Sequence, residues 1–308
     1  MPHKSILFWL FVSPLILVAN SCDDRTTFVS LPLIFEGQKL VLSSLLSPDS
    51  IINIQLTKTY PLNEQDTIVS NYYVTDANVQ LFEDSIFIEN LVYQNNAIYV
   101  SASNKKPQVG HAYYFVVSAP NFDTAYNQPE TIPEKVPINN YLFTDSVAVY
   151  QASHYNSDAA EFNQSVSRLV FYFQDPPNQA NFYSFFSSFY PTTNIDTLAF
   201  GGQYDKIAGC SLSGYPNTIS DQCFNGLMVA VEQDMFPLYQ GYSILNYQGT
   251  IITMQSLSPN YYKFIQSREK YASLQDEIFT EPFNVYSNIE GGYGIVAAYN
   301  SDVLQVIF

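Results

Sequence analysis

Basic side chains and histidine are scarce in this chain. Its 308 residues contain 12 Lys and Arg against 28 Asp and Glu, a formal net charge of −16, and only 3 His. Phosphate backbones and anionic lipid head groups repel a chain this acidic. The composition therefore excludes nucleic acid as a partner, and it excludes a basic surface patch as the means of holding the protein at a membrane.

Recognisable catalytic and metal-binding motifs are missing as well. The sequence contains no His-Glu-x-x-His, Gly-x-Ser-x-Gly, glycine-rich phosphate loop or EF-hand pattern. Beyond the N-terminal segment the histidines are His111 and His154, and we interpret both as ordinary polar residues. We therefore expect no enzyme activity, no metal ion and no cofactor. A hydrolase that uses two carboxylates brought together by the fold stays open as an alternative.

A long hydrophobic run occurs at the N-terminus. Lys4 precedes an apolar stretch from Ile6 to about Ala19, which leads through two small polar residues onto Cys22. The run is too short and wrongly flanked for a membrane-spanning helix, so residues 1–21 are predicted to be a secretory signal peptide. Its ending resembles a bacterial lipobox, in which Cys22 becomes the new N-terminus and acyl chains such as palmitate form a lasting anchor. The alternative is a cleaved secretory protein with a spare thiol.

Asp23 and Asp24 follow this cysteine directly. Acidic residues at this place resemble the export signal that sends lipoproteins of Bacteroidota to the outer leaflet of the outer membrane. The predicted location is therefore the outer membrane, with the protein lipid-anchored and facing the cell exterior, and residues 22–30 are predicted to be a lipidated tether. The alternative is a polar tether that carries no export information.

The remaining cysteines are Cys210 and Cys223. An even pair in an exported chain indicates a disulfide, because the compartment is oxidising. The segment between them contains a strong turn signal at residues 213–217. Closing a loop of this size stabilises the fold by about 3 kcal/mol in the chain-entropy model. We predict that the bond clamps a hairpin or a long loop.

Aromatic and β-branched side chains are abundant, with 25 Tyr and 23 Phe. These residues favour pleated, half-buried strands. Alternating runs such as Ile52, Ile54 and Leu56 recur at intervals of about 10 to 15 residues, with no helical segment between them. This spacing predicts a small β-sandwich over residues 31–132.

Closely spaced prolines between Pro129 and Pro137 interrupt this pattern and mark a boundary. A second β-rich domain is predicted over residues 133–308. It contains one predicted helix in its C-terminal region, since Ser258 can cap a helix that has Pro259 at its first position. The helical face that contains Tyr261, Phe264 and Ile265 is predicted to pack in the core. The predicted fold class is therefore mainly β, with a sandwich followed by a second β-rich domain.

Several motifs occur in an order that resembles a known family. The matching stretches are residues 40–42, 74–81, 110–114, 173–183, 224–226, 257–264 and 281–294. They resemble the Bacteroidota lipoproteins grouped as domain of unknown function 4249. The resemblance implies an outer-membrane lipoprotein, often encoded beside a TonB-dependent transporter, with an immunoglobulin-like or carboxypeptidase-regulatory-like first domain. It implies no catalytic residues.

Six Asp-Ser or Asp-Thr pairs are each followed by a small or aliphatic residue. This pattern resembles the O-glycosylation site of Bacteroidota, in which the hydroxyl group takes the glycan. A turn before a strand predicts the same pairs equally well, and both interpretations place them near the surface. The hydroxyl residues are Ser50, Thr67, Ser85, Thr124, Ser146 and Thr197.

An aromatic run in the second domain is the candidate contact surface, because exposed aromatic patches suit contacts with sugars, peptides or proteins. The run contains Phe182, Tyr183, Phe185, Phe186, Phe189 and Tyr190. We expect a non-enzymatic accessory or binding subunit of an outer-membrane TonB-dependent β-barrel transporter. The alternative is a structural or adhesive surface lipoprotein without a transporter.

Overall fold

The computed structural model describes residue 35 and residues 37–61, 68–152, 162–191, 198–200, 204–207, 218–235, 238–240, 243–245, 247–274 and 283–307. The predicted signal peptide and tether lie outside the described residues, as do Cys22, Asp23, Asp24, Thr67, Thr197 and Cys210. Only the backbone is described at Ser146, Phe189 and Tyr190.

Strands dominate the described chain. In order they are β1 (Leu40–Leu46), β2 (Asn53–Lys58), β3 (Asn78–Glu83), β4 (Ile86–Asn90), β5 (Val92–Asn95), β6 (Ile98–Val100), β7 (Ala112–Ser118), β8 (Ala125–Asn127), β9 (Glu130–Thr131), β10 (Ile138–Ala152), β11 (Phe162–Gln174), β12 (Phe182–Pro191), β13 (Leu198–Phe200), β14 (Tyr204–Ile207), β15 (Thr218–Ser220), β16 (Met228–Met235), β17 (Leu238–Gln240), β18 (Ser243–Leu245), β19 (Tyr247–Leu257), β20 (Ile289–Glu290) and β21 (Tyr293–Ile307). One α-helix, α1 (Pro259–Leu274), follows β19. The prediction of a mainly β protein with a helix near its C-terminus is confirmed.

These strands form three larger sheets and one short pair within the described residues. The largest sheet has the order β13-β12-β19-β21-β1-β2-β6-β5, and β15 also pairs with β12. A second sheet has the order β20-β8-β7-β3-β4, with β9 also on β7, and a third has the order β10-β11-β16-β14. The short pair is β17-β18.

Period-two alternation explains which side chains reach the core. Ile54 and Leu56 of β2 are fully buried, as the alternating pattern predicts. Leu169, Phe171 and Phe173 of β11 are likewise fully buried, while their sequence neighbours are partly exposed. One face of each strand therefore supplies the apolar packing, and the other face meets solvent or polar groups.

Strand β21 joins the first and last parts of the fold. Its first half pairs in parallel with β1, from Val41 opposite Tyr293 to Leu46 opposite Ala298. Its second half pairs in antiparallel fashion with β19, beginning with Tyr299 opposite Leu257. A single strand thus extends one sheet from the N-terminal region into the C-terminal region.

Two hydrophobic clusters lie on either side of the predicted boundary in sequence. The first extends from Leu40 to Ile132 and also includes Ile289, Val296 and Ala298. The second extends from Val136 to Val306. The prolines near residue 133 therefore separate two cores along the chain, although β21 contributes side chains to both.

Helix α1 starts where the sequence predicts. The backbone N–H of Tyr261 donates to Ser258 Oγ at 3.2 Å, which is the capping contact, and Pro259 is the first helical residue. On the predicted core face Ile265 is buried, while Tyr261 and Phe264 are partly buried. The helix therefore lies against the sheet with an incompletely covered apolar face.

Gly294→Ala should strongly destabilise the junction between β1 and β21. A Cβ atom at Gly294 would lie 1.9 Å from the carbonyl oxygen of Leu42, and the residue has φ +114°. We expect a loss of about 3 kcal/mol or more in the free energy of unfolding, because backbone strain and overpacking act together. Urea unfolding followed by circular dichroism measures this loss.

Gly37→Ala is the matched control for this substitution. Gly37 has φ +93°, but a Cβ atom there would meet nothing within 4 Å. It should therefore show only the conformational cost of about 1–2 kcal/mol. Equal losses for the two variants would contradict the close-approach argument at Gly294.

Candidate functional site

A cleft of about 270 Å³ is lined by residues of both hydrophobic clusters. Three segments form its walls: the proline-rich segment after β9, the loop between β11 and β12, and the start of α1. We call it the proline cleft, and its apolar lining includes Pro133, Val136, Pro176, Phe182 and Pro259. Three stretches of the family resemblance, residues 173–183, 257–264 and 110–114, therefore contribute to one concave surface.

Asp175 anchors the loop that forms one wall of the proline cleft. Its carboxylate is fully buried and accepts from Tyr183 Oη at 2.5 Å and from the backbone N–H of Gly226 at 2.8 Å. Burial raises the pKa of Asp175, and the Tyr183 hydroxyl and the Gly226 amide oppose this rise. Both carboxylate oxygens thus hold the loop in place instead of facing the cleft.

Hydrogen bonds join the same loop to residues 224–226, which are distant from it along the chain. The backbone N–H of Asn178 donates to Asn225 Oδ1 at 3.2 Å, and Asn225 Nδ2 donates to the carbonyl of Gln179 at 3.2 Å. Gly226 has φ +75°, and a Cβ atom there would lie 2.9 Å from Pro177 Cβ. Glycine at this position permits the two loops to approach closely.

Asp221 supplies a second buried carboxylate beside this loop. Asn181 Nδ2 donates to Asp221 Oδ2 at 3.3 Å, and the Asp221 backbone N–H donates to the carbonyl of Asn181 at 3.0 Å. Two residues further on, Cys223 is disulfide-bonded. Its predicted partner, Cys210, lies outside the described residues, so this pairing stays a prediction. The segment between β15 and β16 is therefore fixed by hydrogen bonds and by a covalent bond.

A third buried carboxylate, Glu130, lies beside the start of α1. Asn260 Nδ2 donates to Glu130 Oε2 at 2.7 Å, and Tyr286 Oη donates to Asn260 Oδ1 at 2.6 Å. Burial raises the pKa of Glu130, while contacts with Ser258 and Asn260 lower it. Glu130 therefore orients the helix against the first cluster.

Phe182 and Tyr262 connect the proline cleft with a second cleft. Their rings stack with centroids 4.5 Å apart and an angle of 23° between the planes. Phe182 lines the proline cleft, whereas Tyr262 lines a cleft of about 290 Å³ that we call the polar cleft. Its lining also includes Thr218, Ser220, Gln222 and Gln266.

The aromatic run is only in part a surface. Tyr183 and Phe185 are 0% and 1% exposed, so the prediction that they form a contact surface is wrong. The cause is the pairing of β12 with β19, which turns these two rings into the second cluster. Phe186 points the other way and is 44% exposed, and Phe182 is partly buried beside Tyr262.

Sequence reasoning missed the polar cleft. Its residues come from β15, the turn after it and α1, which are separated along the chain. One signal was present, since Tyr262 is an aromatic residue outside the helical face predicted to enter the core. Thr218 and Gln266 gave no such signal, because isolated polar residues have many roles.

Four of the predicted glycosylation residues lie within the described chain. Ser85 occupies a tight turn in which Asp84 and Ser85 have φ 48° and 70°, and Asp84 accepts from the Ala112 backbone N–H at 2.9 Å. Ser50 and Thr124 also lie beside turns, and Ser146 lies at an irregularity of β10. Turns thus account for Ser50, Ser85 and Thr124 but not for Ser146, and glycosylation stays a prediction.

His111 also lies at this turn. Its Nδ1 is 2.6 Å from Asp84 Oδ2, so the histidine contacts this carboxylate at the surface. The Ala112 amide and His111 lower the pKa of Asp84. In the part of the chain that the structure describes, no group of three or more His, Cys, Asp or Glu side chains could hold a metal ion. No helix among the described residues is long and apolar enough to span a membrane.

The fold and the clefts define a mainly β protein with two concave surfaces close in size to the smallest small-molecule sites. The chain belongs to the family described as Domain of unknown function (DUF4249), whose sequence profile matches residues 26–305. The family predicted from the motifs is thereby confirmed. A comparison with curated proteins finds no match.

Among solved structures, the chain is similar to one from Corynebacterium diphtheriae that is provisionally described as a membrane anchored protein. The identity is 10% and the TM-score is 0.20, with 73% of this chain and 55% of that chain covered. The chain thus spans about half the length of that structure. At this TM-score the likeness bears on neither fold nor function.

Tyr183→Phe should destabilise the loop that forms the wall of the proline cleft. The substitution removes the hydroxyl that donates to the buried Asp175 carboxylate. We expect a loss of about 1.5–3 kcal/mol in the free energy of unfolding, because the hydrogen bond is made to a charged group. Chemical denaturation followed by circular dichroism or tyrosine fluorescence measures the loss.

Tyr126→Phe is the matched control for this loss. Tyr126 also donates to a carboxylate, that of Glu290, but it is 40% exposed. Water can replace its hydrogen bond, so this variant should be close to the wild type. If Tyr183→Phe were equally neutral, the stabilising role of the hydrogen bond between Tyr183 and Asp175 would be refuted.

Proposed function

We propose that the protein is a lipoprotein anchored in the outer membrane by Cys22, where it faces the cell exterior and binds a ligand on behalf of a TonB-dependent β-barrel transporter. The proposal rests on the pair of clefts that meet at the stacked Phe182 and Tyr262 rings. Aromatic rings beside a few fixed polar groups are typical of binding sites.

The burial and hydrogen bonding of the acidic side chains beside the clefts support a binding role better than a catalytic one. A general acid or base must reach the substrate. Asp175 is fully buried, and both of its oxygens accept hydrogen bonds from the protein. Asp221 and Glu130 are 3% and 2% exposed and fix neighbouring segments. These carboxylates support the walls of the clefts.

The anchor complements this arrangement in the proposal. A chain with a net charge of −16 is repelled by anionic lipid head groups. Acyl chains on Cys22 hold the protein at the membrane without the help of a basic surface. Asp23 and Asp24 direct it to the outer leaflet. A binding surface confined to that leaflet stays close to its transporter, so its effective concentration is high.

Purification of the lipidated protein from outer membranes in mild detergent tests the transporter partnership. We expect a β-barrel protein to co-purify in comparable amount and to be absent when another abundant lipoprotein of the same membrane is purified in parallel. Recovery of the lipoprotein without a β-barrel would refute the partnership and favour the structural or adhesive role. Hydrolysis of a glycan or peptide substrate by the purified protein would favour the hydrolase.

Cys22→Ser should abolish the anchor. The hydroxyl group cannot replace the thiol that receives the acyl chain, so the variant should remain an unlipidated precursor. Cells fed radiolabelled palmitate should label the wild type but not the variant. The matched control is Cys223→Ser, which removes a different cysteine and should leave labelling intact. Equal labelling of Cys22→Ser and wild type would refute lipidation at Cys22.

A further inference from the structure

We propose that the polar cleft binds a neutral saccharide. This inference deepens the proposed binding function and rests on it. The observation behind it is a set of uncharged hydroxyl and amide groups arranged beside a fixed aromatic ring. Such a set matches the two surfaces of a sugar, which presents hydroxyl groups at its edge and C–H groups on its faces.

The described lining of the cleft contains no acidic or basic side chain. Ser220 offers a hydroxyl group, and Gln222 and Gln266 offer amide groups, while the buried Thr218 supports Gln266 from behind. An amide both donates and accepts, so it can satisfy neighbouring hydroxyl groups of one sugar ring. The volume of about 290 Å³ lies near the lower limit for small-molecule sites, which suits one or two sugar units.

Tyr262 provides an apolar face with a polar tip. Its ring is partly buried and stacked on Phe182, so the packing fixes its orientation before any ligand arrives. A tyrosine held in this way offers a large contact area at low cost in conformational entropy. The C–H face of a sugar ring can pack on such a surface while its hydroxyl groups reach the neighbouring amides.

The polar groups of the cleft are also held in place. Gln266 Nε2 donates to Thr218 Oγ1 at 2.9 Å, which fixes the amide and turns its Oε1 away from that hydroxyl. Thr218 is 4% exposed, and its strand β15 pairs with β12 through Ser184. The disulfide at Cys223 constrains a further residue of the lining. Preorganised polar groups bind more tightly, because less order must be gained on binding.

A neutral ligand is favoured over the charged and peptidic alternatives. The net charge of −16 repels anions, and a cation would need a carboxylate in the lining. The side chains of a peptide partner would need apolar pockets. Ile219 is the aliphatic residue in the described lining, and it is only 8% exposed.

The test uses the lipidated mature protein in detergent on an array of immobilised saccharides. Neutral tri- and tetrasaccharides of glucose, mannose, galactose, xylose and N-acetylglucosamine are compared with sulfated saccharides and uncharged dodecapeptides. We expect binding to at least one neutral saccharide and none to the sulfated ones. Gln266→Leu and Tyr262→Leu should each weaken that binding about tenfold, because each removes a hydrogen-bonding or packing surface.

Two further variants control for folding. Tyr271→Leu removes an exposed aromatic ring of α1 that lines neither cleft, and it should bind like the wild type. Gln222 is exposed, so Gln222→Leu removes a cleft amide without disturbing the core and should weaken binding. Circular dichroism and thermal melting identify any variant that fails to fold. If Gln266→Leu or Tyr262→Leu fails to fold, the saccharide binding of Gln222→Leu tests the cleft instead.

The inference is overturned if no neutral saccharide binds, if the cleft variants bind as well as the wild type, or if sulfated saccharides or peptides bind better. These outcomes are separable from failure of the transporter partnership. A β-barrel that co-purifies with a protein unable to bind saccharides overturns only the saccharide inference. Saccharide binding that depends on the cleft, without a β-barrel, overturns only the partnership.

Discussion

The shared strand β21 is the constraint on which the described fold depends. Val296 and Ala298 belong to the first hydrophobic cluster, whereas Val306 belongs to the second. The backbone of one strand therefore supplies hydrogen bonds and apolar side chains to both parts. Its parallel pairing with β1 requires close approach, which Gly294 permits opposite the carbonyl of Leu42. Neither cluster is complete without this strand.

The clefts follow from the point where β21 changes partner. There the Ser258 backbone N–H donates to the carbonyl of Ala298 at 2.9 Å, and the Ala298 N–H donates to Ser258 Oγ at 3.2 Å. The same hydroxyl caps α1 through Tyr261. The helix consequently begins at the junction of the two clusters, and its first turn brings Tyr262 onto Phe182. One serine thus links strand pairing, helix capping and the position of the aromatic pair.

Buried carboxylates stabilise the loops around this junction. Asp175 and Asp221 fasten segments between strands, and Glu130 fastens the start of the helix. A buried charge is costly unless hydrogen bonds compensate it, so each acid requires the geometry of its neighbours. This requirement makes the loops beside the clefts specific in conformation. The described side chains that line the polar cleft therefore offer neutral amides, hydroxyl groups and an aromatic ring.

The sequence by itself determined the elements that depend on local patterns. Alternation predicted β2, Ser258 with Pro259 predicted the helix start, and the order of motifs predicted the family, because each signal lies within a few neighbouring residues. Tertiary structure alone decided which face of β12 is buried. Both faces of this strand are aromatic, so the sequence could not distinguish Tyr183 and Phe185 from Phe186. Pairing with β19 made that choice, and long-range packing likewise joined β15 to α1 as the polar cleft.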